Sequence, residues 1–491
     1  MKKHKNIMIQ GTGSSVGKTL IVAGLCRIFA QDGYRVSPFK SQNMALNSFV
    51  DIEGLELSRG TVIQAEAGYE IPRAFMNPIL LKPNSDNNSQ VIINGKVAYT
   101  ADAKNYFSNS KELKKIALET YKNNIENNFD IAVLEGGGSP AEINLREYDL
   151  VNMGMAELVD SPVILVGNID IGGVFAAIYG TVMLLNEKDR KRIKGYIINK
   201  FRGDSDLLKP AIEILDKKFK DEGLDIKFLG VLPYADLKIE EEDSLSDEDK
   251  RVYSDDKKYI NISIIKTKKM SNFTDFHPFK QYDDVRVKYI YDVKDLGDED
   301  IIIFPGSKNT ITDLEDLKKR GIFEKVKELK EKGKIIIGIC GGLQMLGKKI
   351  YDLKHLESDI LETEGFNFFD YETTFDEIKK TEQVTKKIEV IEGILKDFNG
   401  YEIKGYEIHQ GVTNILTPII CKDNVFATYI HGIFDNSKFT NDFLNMIRKQ
   451  KNMPERKEIL SFNEFKEREY DKLAKLLREN LDIKEIYRIL D

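Results

Sequence analysis

One cysteine lies in a setting that suits nucleophilic chemistry. Residues Ile335–Gly347 have the sequence IIIGICGGLQMLG, in which an apolar run leads into Gly-x-Cys-Gly-Gly and then into a helical pattern. Small neighbours permit the sharp strand-to-helix turn that exposes a nucleophile, and the helix N-terminus that follows stabilises a thiolate. Cys340 is therefore the predicted nucleophile. The predicted donors to an oxyanion are the backbone N–H groups of Gly341 and of Gly306, which lies in a second strand-end loop.

A cysteine nucleophile also needs a base, and the chain offers five histidines. His431 directly follows the strand-like run Val425–Ile430, so it is well placed to meet the cysteine turn. His409 is the rival candidate for the same role. The other two cysteines, Cys26 and Cys421, lack such a setting, and we expect them to be packing residues.

A phosphate-binding loop is predicted near the N-terminus. The apolar run Ile7–Gln10 leads into Gly11–Thr19 (GTGSSVGKT) and then into a helical pattern. Glycines let backbone N–H groups turn towards phosphate oxygens, the lysine reaches the terminal phosphates, and the hydroxyl binds Mg²⁺. The spacing is one residue longer than in the common form of this loop. The residues predicted to bind ATP here are Gly11, Thr12, Gly13, Gly17, Lys18 and Thr19.

A carboxylate follows another apolar run. Glu135 begins the stretch Glu135–Ser139 (EGGGS) directly after a strand candidate, so it lies at a strand end facing the ligand crevice of a parallel sheet. A carboxylate at such a position can hold Mg²⁺. Together with Thr19, Glu135 is the predicted metal site.

These groups must be positioned by two α/β regions. In the first 235 residues, short runs rich in Ile and Val alternate with helical patterns, which favours βαβ units and a parallel sheet. The strand candidates there are Lys5–Gln10, Tyr34–Phe39, Ile131–Leu134, Val163–Val166 and Tyr196–Asn199. The second region has strand candidates at Tyr259–Ile265, Val287–Tyr291, Ile301–Phe304 and Lys334–Ile339, with one helix predicted over Asp313–Lys332.

Length and composition set the domain organisation. A chain of 491 residues is too long for one hydrophobic core. We predict domains at residues 1–235 and 259–450, separated by a solvated acidic linker at 236–258 and followed by a helical tail at 451–491.

Charge and cysteine content exclude several classes of protein. A net charge of −7 argues against nucleic-acid binding by bulk charge. Three cysteines do not make a disulfide scaffold and fit a reducing cytosol. The most apolar stretch, Ser161–Leu185, contains Asn168 and Asp170 and is a poor candidate for a membrane span. We therefore expect a cytoplasmic protein without a membrane partner.

Taken together, the chain resembles the cobyric acid synthase family of glutamine-dependent amidotransferases, from the phosphate loop to about residue 450. Beyond the two motifs, the similar stretches are Lys40–Ser48, Gln64–Ala67, Met76–Pro83, Val151–Ala156, Asn199–Asp204 and Gly230–Pro233. The segment Ser41–Ser48 is quite specific to this family. The cysteine turn alone indicates only a class I glutamine amidotransferase.

The resemblance implies a fold and a reaction. The fold is a dethiobiotin-synthetase-like phosphate-loop domain with a mostly parallel sheet, joined to a class I amidotransferase domain of α/β type. Cys340, with His431 as base, hydrolyses glutamine through a thioester. ATP with Mg²⁺ activates the b, d, e and g carboxylates of adenosylcobyrinic acid a,c-diamide as acyl phosphates, and the released ammonia converts them to amides.

The resemblance also implies further site residues. Asn199 and Lys200 are expected near the nucleotide base. The crevice for the polyanionic acceptor is expected to include Lys40, Gln42, Asn43 and Lys82.

Two positions depart from what the resemblance leads one to expect. No acidic residue lies two positions after His431, where Ile433 stands, so a Cys–His dyad is expected. Asn168 occupies a strand end where relatives usually carry Asp, although Asp170 is nearby.

Two other functions compete with this interpretation. Cobyrinic acid a,c-diamide synthase has similar chemistry, although the segment Gln42–Ser48 disfavours it. A partitioning-type phosphate-loop ATPase with a degenerate second domain is the alternative from another class, and the intact turn around Cys340 argues against it. The expected partners are ATP, glutamine and the corrinoid, without nucleic acid, and whether the chain forms a homo-oligomer is left open.

Overall fold

The computed structural model describes residues 4–83, 88–240, 258–457 and 460–491. The described chain divides into two compact units. Residues 4–45, 56–240 and 466–491 form the first, and residues 46–55, 258–457 and 460–465 form the second. The predicted domains were continuous stretches, and they did not anticipate that residues 46–55 join the second unit or that the last helices join the first.

The strands are numbered in chain order. Those of the N-terminal half are β1 Lys5–Gly11, β2 Val36–Phe39, β3 Gln42–Met44, β4 Ser48–Val50, β5 Glu56–Ser58, β6 Ile79–Pro83, β7 Asn88–Ile93, β8 Lys96–Asp102, β9 Ile131–Glu135, β10 Val163–Asn168, β11 Ile193–Phe201 and β12 Lys227–Pro233. The remainder are β13 Ile260–Ile265, β14 Met270–Ser271, β15 Val285–Ile290, β16 Ile301–Phe304, β17 Gly306–Ser307, β18 Ile335–Ile339, β19 Lys349–Tyr351, β20 Glu362–Glu364, β21 Glu372–Lys387, β22 Glu402–Thr413, β23 Ile419–Lys422 and β24 Val425–Thr428.

The α-helices follow the same numbering. They are α1 Lys18–Gln31, α2 Arg59–Ala67, α3 Ala103–Ser108, α4 Ser110–Thr120, α5 Met153–Leu158, α6 Val174–Leu184, α7 Glu187–Arg190, α8 Lys209–Asp221, α9 Thr310–Lys319, α10 Ile322–Glu331, α11 Gly341–Leu346, α12 Ser437–Gln450, α13 Phe462–Asn480 and α14 Ile483–Leu490.

The first unit is built on a parallel sheet in the order β12-β11-β10-β1-β9-β2. Both faces of this sheet are covered, because successive side chains of a strand enter different cores. In β1, Ile7 and Ile9 belong to one buried cluster and Met8 belongs to another. A second sheet of this unit has the order β3-β6-β7-β8. The predicted α/β class with a mostly parallel sheet is confirmed.

The C-terminal helices belong to the core of the first unit. Leu473 and Leu477 of α13 are each at most 2% exposed and lie in the same cluster as the buried side chains of α1. A Cβ atom at Gly24 of α1 would lie only 2.5 Å from a methyl group of Leu477, so the two helices pack closely. The predicted helical tail therefore packs into the core of the first unit. The tail contains two helices, because α13 ends at Asn480 and α14 begins at Ile483.

The predicted acidic linker is only partly described. Residues 241–257 of it lie outside the described residues. Within residues 236–240, Ile239 is buried, and Glu240 is 5% exposed and forms two hydrogen bonds of 2.5 and 2.7 Å with the Arg59 guanidinium. The expectation of a solvated linker is wrong for this part, because the carboxylate finds a cation of opposite charge inside the unit.

The second unit has a sheet in the order β15-β13-β16-β18-β24-β23, parallel except for β23. A sheet of order β20-β19-β21-β22 and the short antiparallel pair β14-β17 complete it. The single helix predicted over Asp313–Lys332 is two helices, α9 and α10. Gly321, with φ of 73°, separates them because an αL residue ends one helix before the next begins.

None of the helices in the described part of the chain combines the length and the apolar character needed to cross a bilayer.

Candidate functional site

Cys340 occupies a strained turn in the second unit. It joins β18 to α11 with φ of 53° and ψ of −106°, a conformation that non-glycine residues rarely adopt. The turn is possible because its neighbours are small. A Cβ atom at Gly342 would lie 2.0 Å from the Phe304 carbonyl oxygen, so any larger residue there would displace the backbone. The predicted nucleophile is thus held at a strand end by local crowding.

The Cys340 thiol faces the imidazole of His431 and contributes to its raised pKa, and it hydrogen bonds at 3.5 Å to the Ile408 carbonyl oxygen. On the other side of this ring, Nδ1 lies 2.7 Å from Oδ2 of Asp275. The second carboxylate oxygen, Oδ1, accepts a hydrogen bond of 2.9 Å from the backbone N–H of Gly432. Because Nδ1 meets the carboxylate, Nε2 is left to face the thiol. Cys340, His431 and Asp275 are therefore arranged as a thiol–imidazole–carboxylate chain, the order that a cysteine nucleophile with a general base would need.

Asp275 is the residue that the sequence analysis missed. A dyad was expected because the position two residues after His431 is not acidic, but the carboxylate comes from a segment 156 residues earlier. That segment, Phe273–Gln281, is a 3₁₀ turn that follows β14. The available signal was weak: an acidic residue between two phenylalanines, Phe273 and Phe276, ten residues after the predicted strand Tyr259–Ile265.

The charges around His431 favour the protonated form of its imidazole. Burial disfavours the imidazolium, but the Asp275 carboxylate and the Cys340 sulfur outweigh burial and raise the pKa of His431 to about 10. An imidazolium beside the sulfur stabilises negative charge on it. The arrangement therefore suits attack by a thiolate and proton delivery by the histidine.

The predicted oxyanion loop lies against the cysteine turn. A Cβ atom at Gly341 would lie 2.8 Å from the Ser307 backbone nitrogen, and one at Gly306 would lie 3.3 Å from Cε1 of His431. Asp313 fixes this loop, since its carboxylate accepts a hydrogen bond of 2.6 Å from the Ser307 hydroxyl. Burial raises the pKa of Asp313, partly offset by its hydrogen bonds. Both glycines predicted for the oxyanion are thus placed beside the nucleophile and its base.

His409, the rival base, is engaged elsewhere. Its Nδ1 lies 2.8 Å from the Gly411 carbonyl oxygen, and its Nε2 lies 3.3 Å from the Glu407 carboxylate. The ring stacks on Tyr429 at a centroid distance of 3.8 Å. The geometry therefore favours His431 as the partner of the thiol.

Cys26 and Cys421 are buried, and burial raises the pKa of each thiol. This setting suits packing residues, because a thiol with a raised pKa is a poor nucleophile.

The phosphate loop of the first unit connects β1 to α1. Gly17 has φ of 98°, and a Cβ atom there would lie 2.2 Å from Nδ2 of Asn199, so only glycine fits. The ammonium group of Lys18 donates hydrogen bonds of 2.9 and 3.2 Å to the carbonyl oxygens of Gly13 and Gly138. The cation is therefore held over the loop, where terminal phosphates would lie.

Glu135 connects the loop to neighbouring side chains. Its Oε1 accepts hydrogen bonds of 2.9 Å from the Thr19 hydroxyl and 3.1 Å from the Lys40 ammonium. Its Oε2 accepts one of 2.5 Å from Nε2 of Gln64. Thr19 and Glu135 thus bring a hydroxyl and a carboxylate together beside the phosphate loop, and hard oxygen ligands of this kind fit Mg²⁺.

Asn199 and Lys200 support the loop from β11. Asn199 donates a hydrogen bond of 2.8 Å to the Val16 carbonyl oxygen, and Lys200 donates one of 2.9 Å to that of Ser15. Asn168 ends the neighbouring strand β10, where its side chain accepts a hydrogen bond of 2.9 Å from the Asp170 backbone N–H. The amide at position 168 therefore shapes the turn that follows.

The other predicted crevice residues lie in the smaller sheet. Gln42 and Asn43 are in β3, and the Gln42 side-chain oxygen accepts a hydrogen bond of 2.6 Å from the Tyr106 hydroxyl. Lys82 of the adjacent strand β6 forms a buried ion pair of 2.7 Å with Glu56. Among the described contacts of the four predicted crevice residues, the contact with Glu135 is made by Lys40.

A pocket of about 360 Å³ opens beside the phosphate loop. It lies between Thr12–Ser14 of the loop, the segment Gly138–Glu142 and one face of α6. The α6 face is made of small and apolar side chains. They are Ala176, Ala177, Gly180, Thr181 and Leu184. Lys40, Gln42, Asn43 and Lys82 do not line this pocket.

Comparison with known proteins assigns both halves of the chain. A CobQ/CobB/MinD/ParA nucleotide binding domain matches residues 7–245, and a CobB/CobQ-like glutamine amidotransferase domain matches residues 261–439. The chain is 46% identical to the cobyric acid synthase of Caldanaerobacter subterraneus subsp. tengcongensis, over 99% of this chain and 98% of that protein. It is 48% identical to the enzyme of Clostridium novyi, over 100% of this chain and 98% of that protein.

The chain belongs to the cobyric acid synthase family. The cobyric acid synthase of Alkaliphilus metalliredigens is likewise 48% identical, over 99% of both chains. Within this family assignment, the nucleotide-binding match contains the phosphate loop and Glu135. The amidotransferase match contains Cys340, His431 and Asp275.

Proposed function

We propose that the protein amidates the b, d, e and g carboxylates of adenosylcobyrinic acid a,c-diamide, using ATP and glutamine, to give adenosylcobyric acid. The observation that carries this proposal is the pairing of two sites in one chain of the cobyric acid synthase family. One is the chain Cys340–His431–Asp275, and the other is the phosphate loop with Glu135. The first suits release of ammonia, and the second suits activation of a carboxylate.

Release of ammonia begins at the sulfur. The thiolate of Cys340 attacks the side-chain carbonyl carbon of glutamine, and the oxyanion that forms lies towards the N–H groups of Gly341 and Gly306. The C–N bond then breaks as the His431 imidazolium gives its proton to the departing nitrogen. A glutamyl thioester and ammonia result, and water hydrolyses the thioester to glutamate. Asp275 orients the imidazole and stabilises its charged form.

Activation of the carboxylate takes place at the phosphate loop. A carboxylate is a poor acylating agent at neutral pH, and transfer of the γ-phosphoryl group makes it an acyl phosphate. Lys18 stabilises charge on the transferring group, and Asn199 and Lys200 hold the loop near the nucleotide base. Thr19 and Glu135 would hold Mg²⁺, which neutralises phosphate charge when bound.

The acceptor would bind beside this loop. Lys40 contributes a cation close to Glu135, and we assign Gln42, Asn43 and Lys82 to the same crevice on the basis of family resemblance. In this scheme the first unit acts as the amide synthetase and the second unit acts as the glutaminase.

A substrate panel followed by mass spectrometry tests the proposal. The purified chain is given ATP, Mg²⁺ and glutamine with either adenosylcobyrinic acid a,c-diamide or cobyrinic acid. Stepwise conversion of the diamide to the hexaamide is expected. Activity on cobyrinic acid that stops at two amides would assign the chain to cobyrinic acid a,c-diamide synthase. Hydrolysis of glutamine without turnover of either corrinoid would overturn the acceptor, and no hydrolysis at all would indicate a degenerate second domain.

A further inference from the structure

A short segment from the N-terminal half of the chain is built into the second unit. Residues 46–55 lie between β3 and β5 in sequence, but they belong to the second unit. Asn47, Ser48 and Val50 are each at most 1% exposed. Buried polar groups are paired in folded proteins, so the partners of this segment indicate what it holds in place.

Tyr406 of β22 lies between this segment and the histidine of the candidate site. Its ring stacks on the imidazole of His431 with a centroid distance of 5.3 Å and an interplanar angle of 22°. Its hydroxyl donates a hydrogen bond of 3.1 Å to the Ser48 carbonyl oxygen. The Phe49 ring meets the tyrosine ring roughly edge-on at 5.0 Å. The segment thus holds the ring that lies against one face of the predicted base.

The backbones of Tyr406 and His431 are also joined. The N–H of His431 donates to the Tyr406 carbonyl oxygen at 2.9 Å, and the N–H of Tyr406 donates to the His431 carbonyl oxygen at 3.2 Å. This close pairing depends on a glycine, because a Cβ atom at Gly405 would lie 2.2 Å from the His431 carbonyl oxygen. The stacked rings are therefore placed by the main chain as well as by the side chains.

Asn272 links the same segment to the carboxylate of the site. Its side-chain nitrogen donates to the Tyr406 hydroxyl at 3.0 Å and to the Ser48 carbonyl oxygen at 3.2 Å. Its own carbonyl oxygen accepts a hydrogen bond of 3.1 Å from the backbone N–H of Asp275. One buried amide thus connects the turn that carries the carboxylate to the tyrosine that stacks on the histidine.

The charges around the imidazole give the stacked ring a role. The Asp275 carboxylate lies 2.7 Å from Nδ1 of His431, and the Cys340 thiol faces the same imidazole. A cation over the face of an aromatic ring, within about 6 Å of its centroid, is attracted to the ring. Because the imidazolium gives its proton to the departing nitrogen, contact with the Tyr406 ring favours the form that reacts.

We propose that Tyr406 is a positioning residue for glutamine hydrolysis, which holds the His431 imidazolium towards the Cys340 sulfur. Ser48 and Asn272 in turn hold Tyr406. This inference deepens the proposed function and rests on it. The tyrosine hydroxyl is bonded to Ser48, so we assign it no part in proton transfer. Loss of the ring should therefore lower kcat and leave the KM for glutamine almost unchanged.

The test compares Tyr406→Leu with Tyr406→Phe in the full chain, with glutamine hydrolysis as the measured activity. The leucine variant removes the ring, so kcat should fall about tenfold while the KM for glutamine stays within about twofold. The alkaline limb of the pH–rate profile should move about one unit to lower pH, since one unit of pKa corresponds to a tenfold change. The phenylalanine variant keeps the ring and should keep the alkaline limb of the parent.

An NMR titration of His431 measures the same effect without turnover. The signal is assigned by its loss in His431→Gln, and its pKa should fall by about one unit in Tyr406→Leu. Asn272→Gly provides a second variant, in case the leucine variant does not fold. Glycine keeps the left-handed backbone at this position, where φ is 53°, and removes the amide that holds Tyr406. It should lower kcat about fivefold, because the hydrogen bond to the tyrosine hydroxyl is lost.

Tyr401→Leu is the matched control. Tyr401 directly precedes β22, and the Lys438 ammonium lies 3.8 Å from its ring centroid. The control therefore also removes a tyrosine ring from a cation, but at a distance along the strand from the stacked pair. It should keep the kcat, the KM for glutamine and the alkaline limb of the parent. Circular dichroism of all variants checks that they fold.

Three results would overturn the inference. One is a kcat and an alkaline limb like those of the parent in a folded Tyr406→Leu variant, which would mean that the ring only fills space. Another is an equal loss in the Tyr401 control. A third is a loss in Tyr406→Phe as large as in Tyr406→Leu, which would assign the effect to the hydroxyl. If the parent hydrolysed no glutamine, the proposed function itself would fail, whereas an active parent with unaffected variants would refute only the positioning role.

Discussion

In the second unit the proposed nucleophile, Cys340, lies in a strained turn beside a buried histidine–aspartate pair. In the first unit the groups proposed to act on ATP, Lys18 and Thr19, are held by backbone carbonyls and by the Glu135 carboxylate. Cys340 has a positive φ, and its base is bonded to a buried aspartate. Lys18 instead donates to two carbonyl oxygens of the loops beside it. The difference follows from the chemistry proposed for each unit.

A covalent nucleophile must be positioned before the substrate binds, because bond formation needs a defined angle and distance between the reacting atoms. The strained backbone at Cys340 and the Asp275 carboxylate bonded to His431 provide this positioning. A phosphoryl group is handled by charge, and the cations must be able to exchange their partners for phosphate oxygens. Lys18 and Thr19 have partners that such a ligand could replace. Substitutions in the two units should therefore affect different half-reactions.

The largest effect is expected from Cys340→Ala. Without the sulfur, glutamine-dependent amidation should fall by about 10⁴-fold or more, since no covalent intermediate can form. Amidation with high external ammonium should remain, because the first unit is untouched. Loss of both activities in a folded variant would contradict separate sites. Parallel assays with the two nitrogen donors measure this.

Asp275→Asn should lower the rate of glutamine hydrolysis by about 10³- to 10⁴-fold, because the amide no longer stabilises the imidazolium. The pKa of His431, now about 10, should fall, so the alkaline limb of the pH–rate profile should move to lower pH. Ammonium-driven amidation serves as the internal control. An unchanged pH profile would mean that the carboxylate is only structural.

Lys18→Ala should reduce amidation by at least about 10²- to 10³-fold with either nitrogen donor, since a cation on the transferring phosphoryl group is lost. Hydrolysis of glutamine by the same variant should proceed. Product analysis and glutamate release, measured on one sample, separate the two activities. Equal loss of amidation and of glutamine hydrolysis would indicate that the phosphate loop also affects the reaction in the second unit.

Leu477→Ala should lower the free energy of unfolding by about 2–5 kcal/mol, because it leaves a cavity between α13 and α1. Leu476→Ala is the matched control, because Leu476 is adjacent in sequence and its side chain is only partly buried. Denaturant unfolding of the two variants makes the comparison. Equal losses would contradict the packing described for the tail.

Stability should also depend on pH, through the buried pair of His431 and Asp275. The folded-state pKa of His431 is about 10, above its ordinary value of 6.5, so the folded chain retains a proton that the unfolded chain loses. The stabilisation from the Asp275 pair is complete below about pH 6.5 and is lost as the pH rises through about 10. Thermal unfolding across this range should show the loss, and Asp275→Asn should show less of it.

Motifs made of consecutive residues could be predicted without the structure. The loop Gly11–Thr19 and the turn around Cys340 depend on local backbone geometry, and small residues in sequence order are enough to indicate them. The parallel sheet was predictable for a similar reason, since buried parallel strands are continuous apolar runs. The helix predicted over Asp313–Lys332 was too long because the αL turn at Gly321 was not recognised.

By itself, then, the sequence determined the class of each reactive group and the α/β elements that carry it. Only the tertiary structure decided which distant side chains complete the sites. Asp275 reaches His431 across 156 residues, and Gln64 reaches Glu135 across 71. Such pairs are set by the order in which strands enter a sheet, and no spacing along the chain encodes that order. The carboxylate bonded to His431 and the Gln64 amide bonded to Glu135 became visible once these segments were brought together.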